Sequence, residues 1–112
     1  MQPEQIEQIK VFEYVKQCTD LPFIHIANER KTSPQQGALL KRMGVVAGCA
    51  DIFIPRARSP YHGMFIELKT LKGKPSLSQL EFLTRMNKEG YFSLVCYGAE
   101  EAIETIIKFY DI

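Results

Sequence analysis

A chain of 112 residues, 46% of them apolar and 24% charged, has the size and make-up of one globular domain with one core, here residues 1–112. No apolar run is long enough to span a bilayer, and the opening MQPEQIEQ has neither the basic nor the apolar region of a secretory signal. Cys18, Cys49 and Cys96 form no CxxC pair and no zinc pattern, so membrane proteins and disulfide scaffolds are excluded and a cytoplasmic protein with reduced, mostly buried thiols is expected.

The first helix is predicted from Pro3 to Gln17. Pro3 suits a first turn, Glu4 and Glu7 suit the positive end of the helix dipole, and Ile6, Ile9, Phe12 and Val15 recur at helical spacing with Val11 flanking them. Thr19-Asp20-Leu21-Pro22 ends it. Phe23 to Ala27 alternates as a short strand, with His25 as a strand residue rather than a general base. Asn28 to Gln36 reads as loop, in which Asn28 and Glu29 follow the strand into the site, and Gln36 to Met43 as a short helix stopped by Gly44. Strands are expected at Asp51–Pro55 and Met64–Leu71, separated by a loop that carries Arg56, Arg58, Tyr61 and His62. A helix capped by Ser76 or Ser78 runs to about Lys88, with a capping box if Ser78 is the cap. Tyr91 to Tyr97 is a near-continuously apolar strand, expected to be buried on both faces. Ala99 to Tyr110 is an amphipathic final helix. The order α-β-α-β-β-α-β-α indicates an α/β fold, one mixed sheet flanked by helices. Phe53, Phe65, Phe82, Phe92, Tyr97 and Phe109 fall on core positions, which argues against a base-stacking platform.

The net charge of +1 hides a separation. From Arg30 to Lys74 there are nine basic and two acidic residues, a local charge of +7, against five basic and eleven acidic elsewhere, or −6. The two acids are Asp51 and Glu67. Asp51 opens the apolar run Ile52-Phe53-Ile54. Glu67 and Lys69 sit inside Met64–Leu71 and share one face of that strand, with Ile66 and Leu68 on the other. Charged groups in an apolar strand are costly unless paired or bound to something. If the two strands pair as a hairpin, Asp51 approaches Glu67, and two carboxylates converging with a lysine make a site for a hard divalent cation and a phosphate. A basic middle around them suits a polyanion, with Arg30, Lys31, Lys41, Arg42, Lys72 and Lys74 as candidate phosphate contacts and the Arg56–Gly63 loop as a further one.

The run GVVAGCADIFIP, then FIELKT, then SLSQ, resembles the VRR-NUC (virus-type replication-repair nuclease) family, a branch of the PD-(D/E)xK nuclease superfamily. HIANE, the LLKRMG approach, GYFSLV and AIETIIKFY are similar to further family elements, so the resemblance covers essentially the whole chain. Two departures stand out: Cys49-Ala50 precedes Asp51 where the family usually has a proline, and Ala27 replaces another. The resemblance implies a restriction-endonuclease-like core and a metal-dependent DNA endonuclease. Asp51, Glu67 and the backbone carbonyl of Leu68 would hold Mg²⁺ or Mn²⁺. Lys69 would act on the attacking water, and Gln79 would pack beside the lysine. A carboxylate from the first helix would complete the site, with Glu4 favoured because Gln8 stands one turn on along the same face, and Glu7 the alternative. It also implies a homodimer acting on branched DNA such as four-way junctions, in a bacterial or phage-infected cell. A non-catalytic DNA-binding module on the same fold is the runner-up, and an unrelated α/β protein with a structural D…ExK the third reading.

Overall fold

The computed structural model describes residues 1–27 and 33–112. In chain order the elements are α1 (Pro3–Cys18), β1 (Ile24–His25), α2 (Pro34–Arg42), β2 (Ile52–Ile54), β3 (Met64–Lys69), α3 (Leu77–Lys88), β4 (Phe92–Tyr97) and α4 (Ala99–Tyr110). The strands form one mixed sheet in the order β1-β2-β3-β4. β2 pairs antiparallel with β1 and with β3, while β3 and β4 run parallel and are joined through α3. The expected element order and the mixed sheet are what the chain forms.

Alternation along β3 divides the core. Met64, Ile66 and Leu68 join the larger apolar cluster with Val11 and Val15 of α1 and Ala102, Ile106 and Tyr110 of α4. Phe65 points the other way, into a smaller cluster with Leu83, Phe82 and Met86 of α3. The sheet is therefore sandwiched between α1 and α4 on one face and α3 on the other. Glu67 and Lys69 stand on the Phe65 face, beneath the start of α3.

Several expectations need correcting. Of the expected α1 stripe Ile6-Ile9-Phe12-Val15, only Val15 is buried, joined by the flanking Val11, while Ile6, Ile9 and Phe12 stay some two-fifths exposed. Tyr97 is exposed rather than core, and Cys18 is exposed while only Cys96 is buried. β4 is an edge strand, buried only in part. β1 has two residues rather than five, because only Ile24 and His25 find ladder partners on the short β2. α2 starts two residues early: Ser33 is its cap, its side chain accepting from Gln36 N–H at 3.1 Å, and Pro34 fills the first turn instead of breaking it. The α3 cap is Ser76, not Ser78. Its hydroxyl accepts from Gln79 N–H at 3.2 Å, while Ser76 N–H donates back to Gln79 Oε1 at 2.7 Å.

Candidate active site

The β2–β3 register pairs Ile52 with Ile66, so Asp51 and Glu67 are the next residues along and meet just beyond the ladder. Asp51 is 4% and Glu67 1% exposed. Asp51 Oδ2 accepts the Leu68 backbone N–H at 2.8 Å, taking over a donor that β2 is too short to reach. The other side of Asp51 is anchored through its carbonyl, which accepts from Ile26 N–H at 2.7 Å and from the His25 ring Nδ1 at 3.0 Å. Glu4, in the first turn of α1, completes the group: one carboxylate oxygen from each of Glu4, Asp51 and Glu67 lies within 4.8 Å of the others.

Glu7 is elsewhere. Its Oε1 accepts the Ala99 N–H at 2.9 Å at the start of α4, and its Oε2 pairs with Lys10 at 3.2 Å. The Ala99 bond first, and then Lys10, hold its carboxyl below the usual range. Of the two candidate acids on α1, only Glu4 faces the site.

Glu67 Oε2 also receives two groups from the α3 side. Lys69 Nζ lies 3.7 Å away, with its side chain 16% exposed, and Gln79 Nε2 donates at 3.2 Å. The capping box thus serves the site: the same amide that closes the first turn of α3 reaches Glu67 with its nitrogen. Gly48 makes this possible. It has φ +79°, and a Cβ there would fall 2.5 Å from the backbone carbonyl of Ser78, so the approach to Asp51 lies directly against the α3 start. Burial pushes the neighbouring Cys49 thiol up, helped by the charges of Glu67 and Asp51, so Cys49 stays a protonated thiol beside the acids.

The basic candidates divide. Lys41, Arg42, Lys72 and Lys74 are exposed, and Lys72 borders a groove of about 830 Å³ that Glu4 also lines. Arg30 and Lys31, with Asn28 and Glu29, lie outside the described residues. The Arg56–Gly63 loop is at the far end of β2 from Asp51. Arg56 pairs with Asp20 at 3.0 Å and Arg58 with Asp111 at 3.8 Å, while Tyr61 packs on Phe92 and Phe109. Both ion pairs are solvent-exposed, the arginine side chains remaining 42% and 50% accessible, and the loop lies away from the acidic group.

Three buried or half-buried carboxylates within 4.8 Å repel one another, and an all-oxygen donor set of this kind suits a hard divalent cation. The VRR-NUC domain model matches residues 1–100. The chain belongs to the VRR-NUC family. A solved structure described as a VRR_NUC domain protein is similar at 30% identity with a TM-score of 0.84, over 99% of this chain and 90% of that one. Comparison with the curated proteins finds no match. The VRR-NUC fold supplies a nuclease-type DNA-processing module, and the acidic group sits where its strands converge.

Proposed function

We propose that this VRR-NUC domain is a metal-dependent endonuclease that hydrolyses DNA phosphodiesters with a preference for branched structure. The observation that carries the reading is the meeting of Glu4, Asp51 and Glu67 with Lys69 and Gln79 attached to the same Glu67 oxygen. Glu4, Asp51, Glu67 and the Leu68 carbonyl would hold Mg²⁺ or Mn²⁺. Such an ion, when bound, polarises the scissile phosphate and lowers the pKa of coordinated water.

The remaining chemistry belongs to the chain. Hydrolysis adds one water across a P–O bond: its oxygen joins phosphorus, and the leaving oxygen departs with a proton. Lys69 orients that water as an ammonium, or in its neutral form takes the water's proton, and as the cation offsets the charge gathering on the phosphate oxygens. Gln79 holds Glu67 in place. Lys41, Arg42, Lys72 and Lys74, with Arg30 and Lys31, track the DNA backbone. Phosphate contacts position without reading sequence, and so small a domain has little room for base-reading elements, which favours shape as the selected feature. Two copies related by a twofold axis would present two such sites to a near-symmetric junction. The protein acts in the cytoplasm.

The test is cleavage of a labelled four-way junction and a matched linear duplex, each with Mg²⁺, with Mn²⁺ and with chelator. The expected result is metal-dependent cutting that favours the junction and falls about 10²–10⁴-fold in Lys69→Ala. DNA bound with no cutting under either metal would make this a binding module. Sedimentation as a monomer at working concentration would overturn the paired-site arrangement alone.

A further inference from the structure

The strand that carries Glu67 and Lys69, β3, ends in a tight turn. Gly73 N–H donates to the Thr70 carbonyl at 3.0 Å, so Leu71 and Lys72 are the two tip residues of a β-turn. The strand end beneath it is fixed as well, the Lys69 carbonyl accepting from Gly98 N–H at 2.7 Å. The tip is therefore a firmly mounted projection of β3. Leu71 at that tip is 84% exposed, a value that no other large apolar side chain among the described residues exceeds. A lone exposed leucine is ordinary on a protein surface; the place of this one is not. Leu71 and Lys72 line the same groove of about 830 Å³ as Glu4, and Lys74 is exposed two residues on. Lysine is depleted in protein interfaces. Nucleic acid instead offers phosphates to Lys72 and Lys74 and apolar base faces to Leu71.

We propose that Leu71 is a wedge that enters the opened base step at the branch of the DNA and sets where that branch sits relative to Glu4, Asp51 and Glu67. This rests on the nuclease reading and supplies its preference for shape. An apolar side chain that enters a base step unstacks it, which costs free energy in a continuous duplex. At a branch the stack is already interrupted, so the same contact forms without that cost. Leu71 lies four residues beyond Glu67, at most about 13 Å along the strand direction. Cleavage therefore falls within about four nucleotides of the branch.

The experiment uses the full-length protein in Ca²⁺, so that binding is read without turnover. The probes are a four-way junction with 2-aminopurine at the branch and a matched linear duplex. Wild type is expected to raise the junction's 2-aminopurine fluorescence and to bind the junction more tightly than the duplex. Leu71→Ser should abolish the rise and lower the junction-to-duplex affinity ratio about tenfold, the loss expected for one leucine buried on binding. Leu71→Met should restore both. Because the side chain is exposed in the free protein, these variants should melt with wild type. Leu77→Ser is the control: Leu77 is 73% exposed but lines a different groove, with Leu80 and Arg85 of α3, and its loss should move neither readout. No rise with wild type, an unchanged rise or ratio in Leu71→Ser, or an equal fall in Leu77→Ser overturns the wedge. So does conversion of a dimer to a monomer by Leu71→Ser in sedimentation, which would assign Leu71 to an interface between two copies. No metal-dependent cleavage of the junction by wild type would overturn the nuclease reading instead, since the wedge is read without cleavage.

Discussion

Glu4 and Glu7 are one turn apart on α1 and answer to different parts of the molecule. Glu4 faces Asp51 and Glu67, so Glu4→Gln should lower cleavage about 10²-fold, in the range that follows loss of one group stabilising a reacting phosphate, and leave the melting temperature at or above that of the wild type, because it removes one of three converging negative charges. Glu7 instead caps α4 from a distance through Ala99. Glu7→Gln keeps an oxygen for the Ala99 N–H but removes the charge at the α4 start and the Lys10 pair, so it should cost about 0.3–1 kcal/mol of stability and leave the metal dependence of cleavage untouched. The pH dependence has a definite sign. The folded-state pKa of Glu7 is lowered from the ordinary 4.5, so its carboxylate contributes stability above that value and loses it as pH falls through the lowered one. Thermal melts of wild type and Glu7→Gln should differ at neutral pH and converge in acid. A gap that widened in acid would contradict the cap.

The elements show how much of this was legible beforehand. The approach of Asp51 to Glu67 follows from the two apolar runs and the two-residue period once a hairpin is assumed, whereas the place of Gln79 in the site comes from the family resemblance. The face of α1 could not be read in this way. Its apolar residues suggest an Ile6-Ile9-Phe12-Val15 stripe, yet the stripe turned to the sheet is Glu4-Gln8-Val11-Val15, at i, i+4, i+7 and i+11, sharing only Val15 with it. Helical periodicity assumes that the inward face is apolar along its whole length, and a helix that delivers polar groups to a site breaks that assumption at one end. The spacing of Gln8 from Glu4 was visible; its burial was not. The α3 cap was ambiguous between Ser76 and Ser78 because two capping-box spacings overlap, Ser76–Gln79 and Ser78–Glu81, and the chain closes the first. The position of Gln79 rests on Gly48. Gly48→Ala would place a methyl 2.5 Å from the Ser78 backbone at φ +79°, a conflict that no side-chain rotation relieves. It should destabilise by about 1–3 kcal/mol and also reduce cleavage, because moving the α3 start pulls Gln79 from Glu67. Gln79→Ala should reproduce the loss of cleavage with a smaller loss of stability. Urea melts beside cleavage rates separate the two.

Across the whole molecule, charge is sorted rather than balanced. The Arg30–Lys74 stretch carries +7 and the remainder −6, yet the positive charge is not equally available. Arg56 and Arg58 are paired with Asp20 and Asp111 at the end of β2 remote from Asp51, whereas Lys41, Arg42, Lys72 and Lys74 are exposed and Lys72 shares a groove with Glu4. Phosphate neutralisation releases counterions, so binding should weaken linearly on a log–log plot against salt, with a slope of about −0.9 per phosphate contacted on duplex arms. Each contact removed should flatten that slope by roughly one unit. Lys72→Ala and Lys74→Ala are therefore expected to lower DNA affinity uniformly across sequences and to flatten the salt dependence. Arg56→Ala should leave the slope unchanged and lower stability instead, since it releases Asp20. Fluorescence anisotropy of a labelled junction in Ca²⁺ over a salt series reads both. If Arg56→Ala flattened the slope and Lys72→Ala did not, the DNA path would run over the other end of the sheet, and the acidic group would lie off the bound backbone.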